Sequence, residues 1–112
     1  MKRCLLLVLV VVGLFANAVF AAKPVLKFRS DGNFKIVAFG DLQDDEDMDP
    51  QTLAIMNRVL ELEKPDFVVL VGDCIGGGDC ENWERVKKAI SWVALPMEQR
   101  GIPWAIVFGN HD

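Results

Sequence analysis

Apolar residues fall in three short runs along this chain, and each run ends on the same punctuation. Lys35 to Phe39 stops at Gly40-Asp41, Phe67 to Val71 at Gly72-Asp73, and Trp104 to Phe108 at Gly109-Asn110-His111-Asp112. Runs of four or five apolar residues bounded by turn formers predict strands covered on both faces, as in a parallel sheet. Between them lie two segments with apolar residues at three-four spacing, which predicts helices. In the first, Leu53, Met56 and Leu60 form the stripe with Ile55, Val59 and Leu62 beside them, Asp49 caps it, Pro50 opens it and Pro65 stops it. In the second, which starts at Glu81 or Asn82, Val86, Ala89, Ile90 and Val93 share a face, and Pro96 should kink or split it near Ala94. Gly101 supplies a left-handed cap before the third run.

Ahead of the first strand, Leu26-Lys27-Phe28-Arg29 alternates and Ser30-Asp31-Gly32-Asn33 follows, which predicts a β-hairpin with Asp-Gly at its tip. Leu26 and Phe28 should face the core from an edge strand. The expected order is therefore hairpin, β, α, β, α, β, an α/β fold with right-handed crossovers. In such sheets ligands gather at the carboxyl ends of the strands. Three runs that each deliver an acid or amide just past a glycine point to chemistry at that rim.

The amino terminus changes the picture of compartment. Lys2 and Arg3, an apolar run from Cys4 to Phe15, and Ala16-Asn17-Ala18 are the parts of a secretory signal, so residues 1–22 are expected to be removed. The alternative is an uncleaved anchor, since Leu5 to Ala22 is just long enough to span a bilayer. Either way the rest, residues 23–112, is expected outside the cytosol: secreted, extracytoplasmic, or held in the endomembrane system or a vacuole. No other membrane association is expected.

The whole chain of 112 residues carries a formal charge of −4, and beyond residue 22 ten basic side chains face sixteen acidic ones, a balance of −6. That argues against a nucleic-acid partner, which needs a basic surface to displace counterions. It suits a cation. In an oxidising compartment Cys74 and Cys80, separated by a glycine-rich loop, read as a disulfide; a zinc half-site is the competing reading, although its usual spacing is shorter. The acidic run Asp44, Asp45, Glu46, Asp47 and Asp49 reads as a solvated loop able to raise cation concentration near Asp41. It lacks the glycine of an EF-hand.

Asp41 and Asp73 on neighbouring strand ends would repel unless a cation sits between them, and Asn110 adds a neutral oxygen. His111, the one histidine, can ligate metal or act as general acid. These residues carry a resemblance. Gly40-Asp41-x-Gln43, Gly72-Asp73 and Gly109-Asn110-His111-Asp112 resemble the first three blocks of the calcineurin-like metallophosphoesterases, D-x-H, G-D and G-N-H-[D/E]. The flanking Phe28-Arg29-Ser30-Asp31-Gly32, Phe34-Lys35-Ile36 and Pro103-Trp104-Ala105 are similar to the purple-acid-phosphatase-like branch.

The resemblance implies the βαβαβ amino-terminal half of a β-sandwich flanked by helices, with residues 23–112 as part of a phosphoesterase domain. It implies two divalent or trivalent ions (iron, zinc or manganese), a phosphoester substrate and attack on phosphorus by a metal-bound hydroxide. By position, Asp41 would bind the first metal, Asp73 would bridge both, Asn110 would bind the second, and His111 would aid the leaving group. Two departures stand out. Gln43 replaces the usual metal-binding histidine with a weaker amide donor, and Gly76 stands where purple acid phosphatases proper place a tyrosine; the chain has none. The family's later G-H-x-H block does not occur in the chain, so it is expected to be an amino-terminal fragment, inactive alone. Three functions compete: a metal-dependent phosphoric-ester hydrolase, an exported non-catalytic relative weakened at Gln43, and a redox or zinc module on Cys74 and Cys80.

Overall fold

The computed structural model describes residues 24–76 and 82–112. The expected signal over residues 1–22 and the cysteine at 80 lie outside the described residues. Three strands, β1 (Ile36–Phe39), β2 (Phe67–Leu70) and β3 (Trp104–Ile106), alternate with two helices, α1 (Pro50–Glu63) and α2 (Trp83–Glu98). The strands form one parallel sheet in the order β1-β2-β3. Ile36 pairs with Phe67, and Val68 in turn with Trp104. This is the α/β, βαβαβ arrangement expected from the three runs.

Both helices pack on one face of the sheet, as two right-handed crossovers in one direction require. Met56 and Leu60 from α1, Val93 and Met97 from α2, and Val68 and Leu70 from β2 make a single core, flanked by Val37, Phe39, Trp104 and Ile106. Burying each of these large side chains contributes about 1.5–3 kcal/mol. The other face departs from expectation. Ile36, Val71 and Val107 remain 56%, 54% and 61% exposed. Periodicity cannot distinguish a doubly covered strand from one whose solvent side is also apolar, and here the sheet is covered on one face among the described residues.

α1 starts as expected: the Asp49 carboxylate accepts from the Gln51 N–H at 2.7 Å, with Pro50 at the first helical position. Lys64, left-handed at φ 46°, ends it before Pro65. Its apolar face is narrower than the pattern implied, since Ile55 and Leu62 are exposed. α2 is capped by Asn82, whose side chain accepts from the Arg85 N–H. Contrary to expectation, α2 runs unbroken through Pro96. Pro96 sits in the last turn, where one ladder bond is forfeited and little helix remains to break. Beyond it, Gly101 (φ 63°) donates to the Glu98 carbonyl and Ile102 to the Met97 carbonyl, the bond pair of a Schellman stop.

The leading hairpin is corrected to a turn. Arg29 N–H bonds the Asn33 carbonyl at 2.9 Å and Gly32 takes φ 81°, but no strand precedes β1 among the described residues. Leu26 and Phe28 are exposed; Phe28 meets the Phe34 ring edge-on instead. A two-stranded ribbon is marginal in water. Side chains anchor this segment, with Arg29 donating to the Asp66 carboxylate and, at 2.6 Å, to the Lys64 carbonyl at the end of α1.

Candidate metal centre

Beyond their last regular residues the first two strands stay zipped together. Asp41 N–H donates to the Gly72 carbonyl at 3.2 Å, Gln43 N–H to that of Asp73 at 3.0 Å, and Gly76 N–H to that of Asp44 at 2.8 Å. On the other side Val107 N–H reaches the Leu70 carbonyl at 2.8 Å. The three exit turns therefore lie side by side. Glycine is required where they touch. A Cβ on Gly72 would stand 2.9 Å from the Gly109 Cα, and one on Gly109 would overlap Asp73 Oδ1.

Three of the expected ligands carry the strain of this approach. Asp41 (φ 52°), Gln43 (φ 45°) and Asp73 (φ 50°) are all left-handed, a conformation that costs a non-glycine residue about 1–3 kcal/mol and gathers at functional sites. Asp73 Oδ1 accepts from the His111 N–H at 3.0 Å, which ties the second exit to the third. Asp41, Gln43, Asn110 and His111 are exposed at the rim and Asp73 is half-buried. The structure thus brings the expected residues to one rim through backbone contacts.

Asp112 received no role from the sequence, yet it is the most heavily bonded acid at the rim. Its Oδ2 accepts from the Asp73 N–H (2.8 Å) and the Gly109 N–H (2.6 Å), and its Oδ1 from Cys74 (2.7 Å) and Ile75 (3.1 Å). Its place at the end of the Gly-Asn-His-Asp block was the one signal available.

The donor set fits a hard cation in kind: two carboxylates and two amides on adjacent turns, open to water. It fits in part by number. Among the described residues no group of three histidine, cysteine, aspartate or glutamate side chains closes around one point. Asp41, Asp73 and Asn110, with Gln43, supply one side of a shell.

The acidic run is only in part the solvated loop expected: Asp47 and Asp49 are exposed, but the segment is tied to the fold. Glu46 receives two hydrogen bonds from the Arg85 guanidinium, and its carbonyl accepts from the Trp92 indole N–H at 3.1 Å. Lys88 pairs with Asp47 at 3.0 Å, and Met48 is buried in the core. Asp44 accepts from the Asp45 and Asp49 N–H groups. Burial pushes the Asp44 carboxyl up, but hydrogen bonds from Thr52, Asp45 and Asp49 outweigh it and hold the group below its usual value. Sequence could not show that α2 would present basic residues to this loop.

Cys74 is buried, with its thiol 3.9 Å from the Gly72 carbonyl, and is a free thiol among the described residues. Burial first, then the nearby Asp112 carboxylate, push its pKa up to about 11. Such a thiol is inert at neutral pH.

A parallel sheet with acidic and amide groups converging past its strand ends belongs among the α/β proteins that work at the carboxyl rim. The sequence model of one such family, the calcineurin-like phosphoesterases, matches residues 34–112, and the chain belongs to that family. It is 34% identical over 104 residues to probable inactive purple acid phosphatase 28 of Arabidopsis thaliana, covering 78% of this chain and 25% of that protein. It is 38% identical over 104 residues to phosphatase DCR2 of Saccharomyces cerevisiae, covering 78% of this chain and 17% of that protein. Probable inactive purple acid phosphatase 29 of Arabidopsis thaliana is 32% identical over 108 residues, covering 82% and 27%. The chain spans about a quarter, or less, of the length of these relatives. No solved structure matches it.

Proposed function

We propose that this chain supplies the first part of the metal site of an exported, metal-dependent phosphoric-ester hydrolase. The observation that carries the reading is the zipping of the three strand exits, which sets Asp41, Asp73 and Asn110 on adjacent turns. Asp41 and Gln43 would hold one ion, Asn110 the other, and Asp73 would lie between. Bound iron, zinc or manganese would activate water and neutralise charge developing on the phosphoryl group. His111 would face the phosphoester and give a proton to the leaving oxygen. Asp73 contributes by orientation: its Oδ1 holds the His111 backbone and so fixes where that side chain leaves the turn. Export rests on the leader over residues 1–22. Among the described residues no helix is long and apolar enough to cross a membrane.

A second reading has its own support. Gln43 stands where the family has histidine, and two of the relatives are themselves named probable inactive. A non-catalytic exported protein on the same scaffold would bind metal weakly or not at all. The redox or zinc reading loses support from a buried Cys74 thiol with a raised pKa.

Titration of the purified chain with Mn²⁺, followed by calorimetry, separates the two. The hydrolase reading expects saturable uptake that Asp73→Asn weakens at least about tenfold and Gln43→His strengthens. No uptake by either the wild type or Gln43→His would leave the non-catalytic reading. Aryl phosphate turnover is expected from a longer protein carrying this segment, and none from these residues alone, because their donors form one side of a shell.

A further inference from the structure

The Asp112 carboxylate occupies a seat made of backbone N–H groups from two different turns. Asp73, Cys74 and Ile75 contribute three from the second exit, and Gly109 contributes the fourth from the third. Consecutive N–H groups that converge after a left-handed residue form an anion nest, and Asp73 at φ 50° sets up this one. Hydrogen bonds to an ionised acceptor are roughly twice as strong as neutral ones. A single side chain therefore spans both exits. It acts in the direction opposite to the Asp73 Oδ1 bond with His111 N–H, so the two turns hold each other reciprocally.

We infer that Asp112 is a positioning residue: its carboxylate locks the Asp73 turn against the Asn110-His111 turn and so fixes the spacing of the groups proposed to bind metal. This rests on the metal reading given above. Asp112 itself need not touch the ion, because both of its oxygens are engaged by N–H groups. Asparagine is the informative replacement. It keeps the shape and one acceptor, but turns an NH₂ toward donors that the other oxygen satisfied.

The test combines amide hydrogen exchange by NMR with Mn²⁺ titration of the full chain, wild type and Asp112→Asn. In the wild type, the amides of Asp73, Cys74, Ile75 and Gly109 should be protected. Asp112→Asn should expose at least the pair facing the NH₂ while the Val68 amide, bonded to the Pro103 carbonyl in the sheet, keeps its protection. The Mn²⁺ dissociation constant should rise about tenfold or more, the usual effect of removing a group that orients metal ligands. Fast exchange of the four amides in the wild type overturns the proposal without any variant. So does a variant that loses their protection yet binds Mn²⁺ as the wild type does. Failure of the wild type to take up Mn²⁺ would remove the metal reading and the positioning role with it, and protected amides would then show that the seat had formed without that purpose.

Discussion

The two ends of the sheet are held by different means. At the amino end, long charged side chains do the holding: Arg29 reaches Asp66 and the Lys64 carbonyl, Lys35 N–H donates to Asp66 Oδ2 at 2.7 Å, and Lys35 pairs with Glu63 at 3.2 Å. Backbone conformation there is relaxed apart from the helix cap at Lys64. At the carboxyl end, carbonyls, amides and two short carboxylates hold three left-handed non-glycine residues, and glycines meet at near contact. Exposed ion pairs contribute little each, typically 0–1 kcal/mol at about room temperature. The difference teaches where the fold tolerates strain. It is concentrated where Asp41, Gln43 and Asp73 must point away from relaxed strand geometry, which is the pattern of a site built at some cost in stability.

Substitutions at the carboxyl end should break this contrast most visibly. Gly109→Ala drives a methyl into Asp73 Oδ1 and the Asp73 N–H. A loss of about 3 kcal/mol or more is expected in urea denaturation, because neither atom can move without undoing the junction of the exits. Asp41→Gly should act in the other direction. It relieves a φ of 52° on an exposed residue, so stability should rise by about 0.5–1 kcal/mol while Mn²⁺ affinity falls. A protein that gained stability and kept its affinity would separate strain from ligation.

The smallest effect belongs to the amino end and depends on pH. Hydrogen bonding, first from the Lys35 N–H and then from Arg29, holds the Asp66 carboxyl below its ordinary 3.8. A depressed folded-state value means the stabilisation is complete above the unfolded pKa and fades as pH falls through the folded one. Thermal unfolding between about pH 5 and pH 2 should therefore lose midpoint more gently in Asp66→Asn than in the wild type. Equal slopes would show that these bonds do not discriminate between the two charge states of Asp66.

Helix placement was legible because it is written in local chemistry. Asp49, Asn82 and Gly101 perform the capping that their residue types imply, and Val86, Ala89, Ile90 and Val93 lie on the inward side of α2. The rim was legible as a set of strand endings, since glycine followed by a short polar residue marks each exit. Cover on the outer sheet face was not, because Ile36 and Val107 are apolar whether or not anything packs on them. The leading strand failed for a related reason: alternation at Leu26 to Arg29 satisfies a local rule, but pairing needs a partner face. Long-range side-chain bonds, Glu46 with Arg85 and Asp112 with the Cys74 turn, join residues far apart in sequence and leave no periodic trace.

The outer side of the sheet has a colloidal consequence. Ile36, Val71 and Val107 form a water-facing apolar surface on a molecule whose formal charge is −4 at pH 7. Electrostatic repulsion between copies opposes the stacking of two such surfaces, and that repulsion weakens as the Debye length shrinks from about 10 Å at 0.1 M salt to 3 Å at 1 M. Light scattering from a solution of this chain should accordingly climb with added sodium chloride, and an aspartate introduced at Val107 should hold it down.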